Sequence, residues 1–245
     1  MHSYRDERTT RHLEELYRIM PEKELYQATG NQNAPFNCLM QLGTMVLQNQ
    51  TPLFQDNTLL FLPDLLLYCM TGIRKTEYTI ASVSQMFDFS ANDWNQEILK
   101  KFSIPQDIFA PIAFPGSLLG KTAGTFNQEL ATTGFPVATV CEHDTASAFL
   151  ASSGLPGSAI ISCGTWSIVG AETSAPRIDD YGYKYNIANE GSIKGHHRIL
   201  KNVMGTWLLQ EIRAEYRLQG IDYSYTEMET AALSASPFAL SLIHI

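Results

Sequence analysis

The 245 residues include 17 Lys and Arg against 25 Asp and Glu, a formal net charge of −8, and 44% of them are hydrophobic. That is chain enough for one large domain or two smaller ones, and enough apolar side chain for an ordinary core, so global disorder is excluded. An acidic chain lacks the basic face with which nucleic-acid binders displace counterions, and an anionic ligand would need local backbone N–H groups to hold it.

Helical spacing appears first at Leu13, Leu16, Tyr17 and Met20, with Thr9 or Thr10 as the expected cap. A second helix is expected from Pro35 to Leu47, a third from Pro63 to Met70 stopped by Gly72, and a fourth carrying Trp94, Ile98 and Leu99 and ending before Pro105. Between Pro105 and Gly134 the density of Pro and Gly predicts irregular chain with one short helix. Val137-Ala138-Thr139-Val140 reads as a strand, followed by a loop at Glu142-His143-Asp144-Thr145 and a small-residue helix from Ala146 to Ser152. Gly154-Leu155-Pro156-Gly157 reads as a linker and places a domain boundary near residue 154. The runs Ala159–Ser162 and Ser167–Gly170 flank Cys163-Gly164-Thr165-Trp166 as a β-hairpin, and Val203, Trp207, Leu208, Ile212 and Tyr216 mark a long amphipathic helix.

Several chemistries are excluded by spacing. The cysteines at 38, 69, 141 and 163 form no Cys-x-x-Cys pair, which leaves buried free thiols as the expectation, and the six histidines show no His-x-x-x-His. The apolar run Leu59–Met70 is broken by Pro63 and Asp64 and is too short to span a bilayer. Met1-His2-Ser3-Tyr4-Arg5-Asp6 is no secretory signal, so a cytoplasmic location is expected, and the sequon Asn49-Gln50-Thr51 carries no weight. Gly116-Ser117-Leu118-Leu119-Gly120-Lys121-Thr122 imitates a P-loop but has one residue too few between the glycines, and no β-branched strand leads into it.

Four features could carry chemistry. Glu142-His143-Asp144-Thr145 follows a strand, where α/β proteins bind ligands, and a carboxylate there could accept a proton from a substrate hydroxyl; Asp144 or Thr145 as a simple helix N-cap is the competing reading. The tip Gly164-Thr165 would offer bare N–H groups and a hydroxyl to phosphate oxygens, against an ordinary hairpin turn. Asn202 and Gln210 would present amides from one helix, against a cap and a solvated glutamine. Asp6 and Arg8 read equally well as a surface ion pair.

Taken in order, Tyr4-Arg5-Asp6-Glu7-Arg8-Thr9, Pro35-Phe36-Asn37, Pro63-Asp64, Glu77-Tyr78-Thr79, Pro115-Gly116, His143-Asp144-Thr145-Ala146-Ser147-Ala148, Ser162-Cys163-Gly164-Thr165-Trp166-Ser167, Asn189-Glu190-Gly191 and Leu200-Lys201-Asn202-Val203-Met204-Gly205 resemble the landmarks of rhamnulokinases, sugar kinases of the FGGY carbohydrate kinase family. The resemblance runs to about residue 238 and turns the balance at Asp144 from cap to catalyst. It implies an α/β, actin-like (ribonuclease H-like) ATPase fold of two lobes, incomplete in this chain. Residues 1–153 would be the latter part of the N-terminal domain on the sugar side, and 154–245 the first part of the C-terminal domain on the nucleotide side.

The same resemblance implies ATP and Mg²⁺ as cofactors and a small ketose as substrate, most simply L-rhamnulose phosphorylated on its primary hydroxyl, with no nucleic-acid or membrane partner. Asp144 would be the general base, His143, Thr145 and Asn202 would contact the ketose, Gly164 and Thr165 would touch the ATP phosphates, and Gln210 would lie on the nucleotide side. The Asp-x-Gly turn with which members begin and their later glycine-rich adenosine loop are both missing, and residues 239–245 fit the pattern poorly. The chain therefore reads as an internal fragment, expected to bind ketose weakly and to transfer no phosphate alone. The alternative is a non-catalytic sugar-binding or regulatory relative, against which the retained Asp144 argues.

Overall fold

Short helices with sharp stops dominate the early chain, as its punctuation by Pro and Gly requires. The computed structural model describes residues 7–152, 157–164 and 166–236. Tyr4 to Asp6, most of the expected linker with its boundary at 153/154, Thr165 and residues 239–245 lie outside the described residues.

Helix α1 (Leu13–Ile19) follows a single 3₁₀ turn, and neither Thr9 nor Thr10 caps it: Thr9 has helical backbone angles and no side-chain cap bond. Helix α2 (Glu22–Thr29) is absent from the sequence reading because an eight-residue segment buries only Leu25, Tyr26 and Thr29; Pro21 precedes it, and Gly30 at φ 66° ends it. Helix α3 (Cys38–Leu47) starts three residues later than expected, since Asn37 is held extended at ψ 145°. Helix α4 (Leu62–Thr71) begins and ends as its Pro63 and Gly72 foretell.

Strand β1 (Thr76–Glu77) runs directly into α5 (Tyr78–Ser82), and β2 (Phe87–Asp88) pairs with β3 (Asp93–Trp94). Trp94 therefore belongs to a strand and not to α6 (Gln96–Lys101); its indole N–H donates to the Ala110 carbonyl at 3.1 Å, which fixes it ahead of the helix. The stretch expected to be irregular holds β4 (Ile112–Ala113), parallel to β1, then β5 (Leu118–Lys121), α7 (Gly124–Glu129) and β6 (Pro136–Ala138), with β5 and β6 antiparallel. The false P-loop is thus largely strand β5. Leu16, Leu25, Leu39, Met40, Phe87 and Ile98 lie at the centre of the core these elements enclose.

After α8 (Asp144–Ser152) come β7 (Ile160–Cys163), β8 (Trp166–Thr173), α9 (Asp180–Lys184), β9 (Ala188–Gly191), β10 (His197–Met204), α10 (Trp207–Leu218) and α11 (Tyr225–Ser234). The four strands form one antiparallel sheet in the order β7-β8-β10-β9, with the expected β7–β8 hairpin at its edge. Asn202 and Val203 lie in β10 opposite Ile168 and Ser167, so the helix expected from Val203 starts only at Trp207, and Asn202 and Gln210 do not share an element.

The sheet docks on the earlier helices through close backbone approaches. Gly191 packs against the Tyr78 ring, and its N–H donates to Ser82 Oγ at 2.8 Å. Buried amides complete the seam: Asn31 Nδ2 donates to the Asn189 carbonyl at 2.8 Å, and Asn189 Nδ2 donates to the Gly30 carbonyl at 3.0 Å. Among the described residues no helix is long and apolar enough to cross a membrane. All four cysteines are free; Cys141 is buried and Cys38 half-buried, whereas Cys69 and Cys163 are exposed, contrary to the expectation of buried thiols.

Candidate active site

The segment 139–143 joins β6 to α8 and is tied down from α5. Glu77, at the N-cap of α5, accepts through Oε2 from Ile80 N and from Glu142 N, both at 3.2 Å, and from the Thr79 hydroxyl. Thr79 Oγ1 in turn accepts from His143 N at 3.1 Å. Two successive N–H groups before Asp144 are therefore clamped by two side chains of one helical turn.

Beneath this clamp lie three carboxyl groups. Asp64 accepts from Glu77 N at 2.9 Å and Phe61 N at 3.3 Å, yet its burial raises its pKa. Burial likewise raises Glu77, and Glu142 is pushed up to about 8 by desolvation and by the charges of Asp64 and Glu77. As a carboxylate Glu142 has no partner for either oxygen; protonated, it donates to Asp64.

On the other side of the segment, His143 meets a buried ion pair. Arg198 is fully buried, and its Nη2 lies 2.8 Å from Glu190 Oε2 and 3.3 Å from His143 Nδ1. The partners face each other in the β9–β10 register, Arg198 opposite Glu190. Burial resists ionisation of Glu190, yet its carboxyl lies below the usual range, held there by the charge of Arg198 and, whenever Nδ1 carries the proton, by His143.

His143 and Asn202, far apart in sequence, line one cavity of about 250 Å³ together with Asn31, Gln32, Asn37 and Glu190. Asn202 Nδ2 donates to Gln32 Oε1 at 3.0 Å. A wider cavity of about 530 Å³ adjoins through Gln32, Phe36, Ile168 and Asn202, with Trp166 on its wall. Asp144 lines neither; it borders the smaller one through His143, whose Nε2 is 4.0 Å from Asp144 Oδ1. Asp144 is the first residue of α8, six residues past the end of β6, and its side chain is 98% exposed. Its Oδ1 accepts only from its neighbour Thr145, whose N–H is 2.7 Å away, while His143 O takes the first helical N–H groups, so the helix is opened by His143 and not capped by the Asp144 carboxylate. Thr145 is buried behind it.

The hairpin tip does not offer a bare N–H at Gly164. That group donates to the Trp166 carbonyl at 3.0 Å, and the Gly164 carbonyl accepts from Thr206 N at 2.9 Å and Thr206 Oγ1 at 3.0 Å. Thr165 lies outside the described residues, and Gln210 is exposed on α10. Among the described residues no group of three or more His, Cys, Asp or Glu side chains could hold a metal ion. Glu77, Thr79, Glu142, Glu190 and Arg198 were missed as site residues. Glu77-Tyr78-Thr79 and Asn189-Glu190-Gly191 were legible as landmarks, but only the packing of α5 and β9 around residues 142–143 gives them a task.

Comparison with known proteins agrees with this architecture. The N-terminal domain of the FGGY family of carbohydrate kinases matches residues 1–151. The chain is 35% identical over 237 residues to the rhamnulokinase of Bacillus subtilis, covering 96% of this chain and 48% of that protein. It is 36% identical over 238 residues to the rhamnulokinase of Bacteroides thetaiotaomicron, covering 97% and 48%. The chain thus spans about half the length of the curated relatives it matches. Its fold superposes on ligand-bound xylulose kinase from Lactobacillus acidophilus with a TM-score of 0.77 at 15% identity, over 96% of this chain and 47% of the other, which gives it the mixed α/β architecture of the actin-like ATPases. With the family's N-terminal domain matching well over half its length and its fold shared with a sugar kinase, the chain belongs to the FGGY family of carbohydrate kinases.

Proposed function

We propose that this chain carries the ketose subsite and the general base of a kinase that phosphorylates the primary hydroxyl of L-rhamnulose. The observation that carries the reading is the amide-rich cavity of about 250 Å³ shared by His143 and Asn202, with the Asp144 carboxylate beside it. Amide and imidazole groups converging on a small cavity suit a polyhydroxylated ligand, since each can pair a hydroxyl that burial strips of water. The relatives named rhamnulokinase support the choice of ketose. Residues 1–153 then form the latter part of the N-terminal, sugar-side domain and 154–245 the start of the nucleotide-side domain.

In this reading His143, Thr145 and Asn202 orient the ketose, and Asp144 accepts the proton of the attacking hydroxyl. ATP with Mg²⁺ would supply the phosphoryl group and neutralise its charge; we place the nucleotide on the side of Gly164, Thr165 and Gln210. Both backbone groups of Gly164 are engaged within the chain, which argues against its N–H as a phosphate donor. Asp144 stands open to water, with 98% of its side chain exposed. We therefore expect ketose binding without rhamnulose-dependent ADP release until some element covers the base, for transfer needs water excluded.

Calorimetric titration with L-rhamnulose, L-fuculose and D-xylulose tests this. L-rhamnulose should bind most tightly, Asn202→Leu should weaken it roughly tenfold for the loss of one hydrogen bond, and Asp144→Asn should bind within a few-fold of wild type. Where a cover restores ADP release, Asp144→Asn should lower it on the order of 10²–10⁴-fold. Absence of binding by all three ketoses, or full turnover in Asp144→Asn, refutes the reading.

A further inference from the structure

We infer that Arg198, neutralised by Glu190, is a positioning residue that holds His143 in its Nε2–H tautomer and so presents an N–H donor, not a bare nitrogen, on the side of the cavity and Asp144. The inference deepens the proposed ketose site and rests on that reading for the identity of the ligand, but its geometric part does not.

A guanidinium has five N–H groups and no acceptor. Its Nη2 lies 3.3 Å from His143 Nδ1, so a hydrogen bond between them requires Nδ1 to be the acceptor and the ring proton to be on Nε2. The rival arrangement, Nδ1–H donating to Glu190 Oε2, is also within reach at 3.4 Å. The count of buried polar groups separates the two. Arg198 is fully buried, its Nε is taken by the Gly191 carbonyl at 3.1 Å, and its Nη1 already has no partner. Nη2 has two hydrogens, one for Glu190 at 2.8 Å and one for His143. A proton on Nδ1 would face that second hydrogen and orphan another buried guanidinium N–H, whereas Glu190 Oε2 keeps its charge-assisted bond in either case. The Phe149 ring, 5.6 Å from the guanidinium carbon, closes the remaining side.

Holding the ring from behind also fixes where its front nitrogen is. His143 N is clamped by Thr79, so backbone and ring are fixed independently, and Nε2 is left 4.0 Å from Asp144 Oδ1. A donor at that position can serve a ketose oxygen and leaves the Asp144 carboxylate free to receive a hydroxyl proton.

The test uses the whole 245-residue chain labelled with ¹⁵N-histidine, without sugar, with His143→Gln spectra to assign the resonance. Long-range ¹H–¹⁵N correlation at pH 7.5 should show the His143 proton on Nε2 and a bare Nδ1. A proton on Nδ1, or on both nitrogens, overturns the inference whether or not any variant folds. The double variant Arg198→Met/Glu190→Leu removes both charges together and avoids a buried unpaired one; its His143 should lose the single tautomer, and an unchanged tautomer there overturns the role of Arg198. L-rhamnulose affinity should fall roughly tenfold in the same variant, the loss of one oriented hydrogen bond. Failure of the wild-type chain to respond to L-rhamnulose, with the tautomer as stated, counts against the ketose assignment and not against Arg198.

Discussion

Replacing Glu142 by Gln probes the buried carboxyl groups under the segment that ends at Asp144. A carboxyl whose pKa rises from 4.5 to about 8 on folding stabilises the fold in its protonated form. That contribution is fully present below pH 4.5 and is lost as pH rises through about 8, because the folded chain then holds a proton the unfolded chain has released. Taken at face value the difference is about 5 kcal/mol. Glu142 is only half-buried, and solvent screening brings the expectation to about 2 kcal/mol. Gln is isosteric with the protonated acid and its amide can still donate to Asp64. The variant should therefore match wild type near pH 4.5 and exceed it by about 2 kcal/mol near pH 9, a rise in Tm of roughly 4–8 °C for a chain of this size. Urea unfolding of both proteins across that range gives the difference, which carries the Glu142 proton together with its coupling to Asp64 and Glu77 and cancels the titrating groups remote from them. A difference that stays flat with pH, or one that grows toward acid, refutes the shared proton.

Two further substitutions test the seam between sheet and helices. Asn189→Leu removes donors to the Gly30 and Arg177 carbonyls and the acceptor of Arg177 N; it should cost about 2–4 kcal/mol in urea unfolding, at 1–3 kcal/mol for each buried group left unpaired, and a loss below 1 kcal/mol would show that the seam is wet. Gly191→Ala drives a methyl group into the Tyr78 ring and should lower stability by about 1–3 kcal/mol; an unchanged Tm would mean that β9 and α5 are not in contact in solution.

What could be read in advance depended on how local the cause was. Helix α4 is announced by Pro63 and Gly72, and the β7–β8 hairpin by its two β-branched runs, because each signal lies inside the element it shapes. Strand β10 was misread at its end: Val203, Trp207 and Leu208 have helical spacing, but Val203 is held by its register opposite Ser167, which only the fold supplies. Helix α2 escaped notice because its core contribution is too small to make a stripe. The same distinction governs the site. His143, Asp144 and Thr145 are contiguous and stand out as a motif, whereas Asp64, Glu77 and Glu142 meet from three distant places and no periodicity links them. Gly164-Thr165 was legible as a hairpin tip, but the engagement of Gly164 by Trp166 and Thr206 depends on where α10 begins.

Residues 142 and 143 carry two charge groups of opposite character. The Glu142 side chain meets Asp64 and Glu77 and shares a proton; the His143 ring meets Arg198 and Glu190, where the charges are paired. Their pH dependences oppose each other: the first group loses its contribution as pH rises, and the second loses its own as pH falls through the depressed pKa of Glu190. Buried charges are poor sources of stability, because desolvation cancels most of the attraction, and apolar replacements would often serve the fold as well. Their value here is directional. Glu77 fixes the N–H of 142, Thr79 fixes the N–H of 143, and Arg198 fixes the ring of 143. Asp144 follows at once, its carboxylate accepting from its neighbour Thr145, 4.0 Å from His143 Nε2 and otherwise open to water. A carboxylate proposed as the general base has to stay accessible, and so cannot be positioned through its own contacts. It can be positioned through the two residues before it, and those are the residues on which the buried polar groups of α5, β9 and β10 converge.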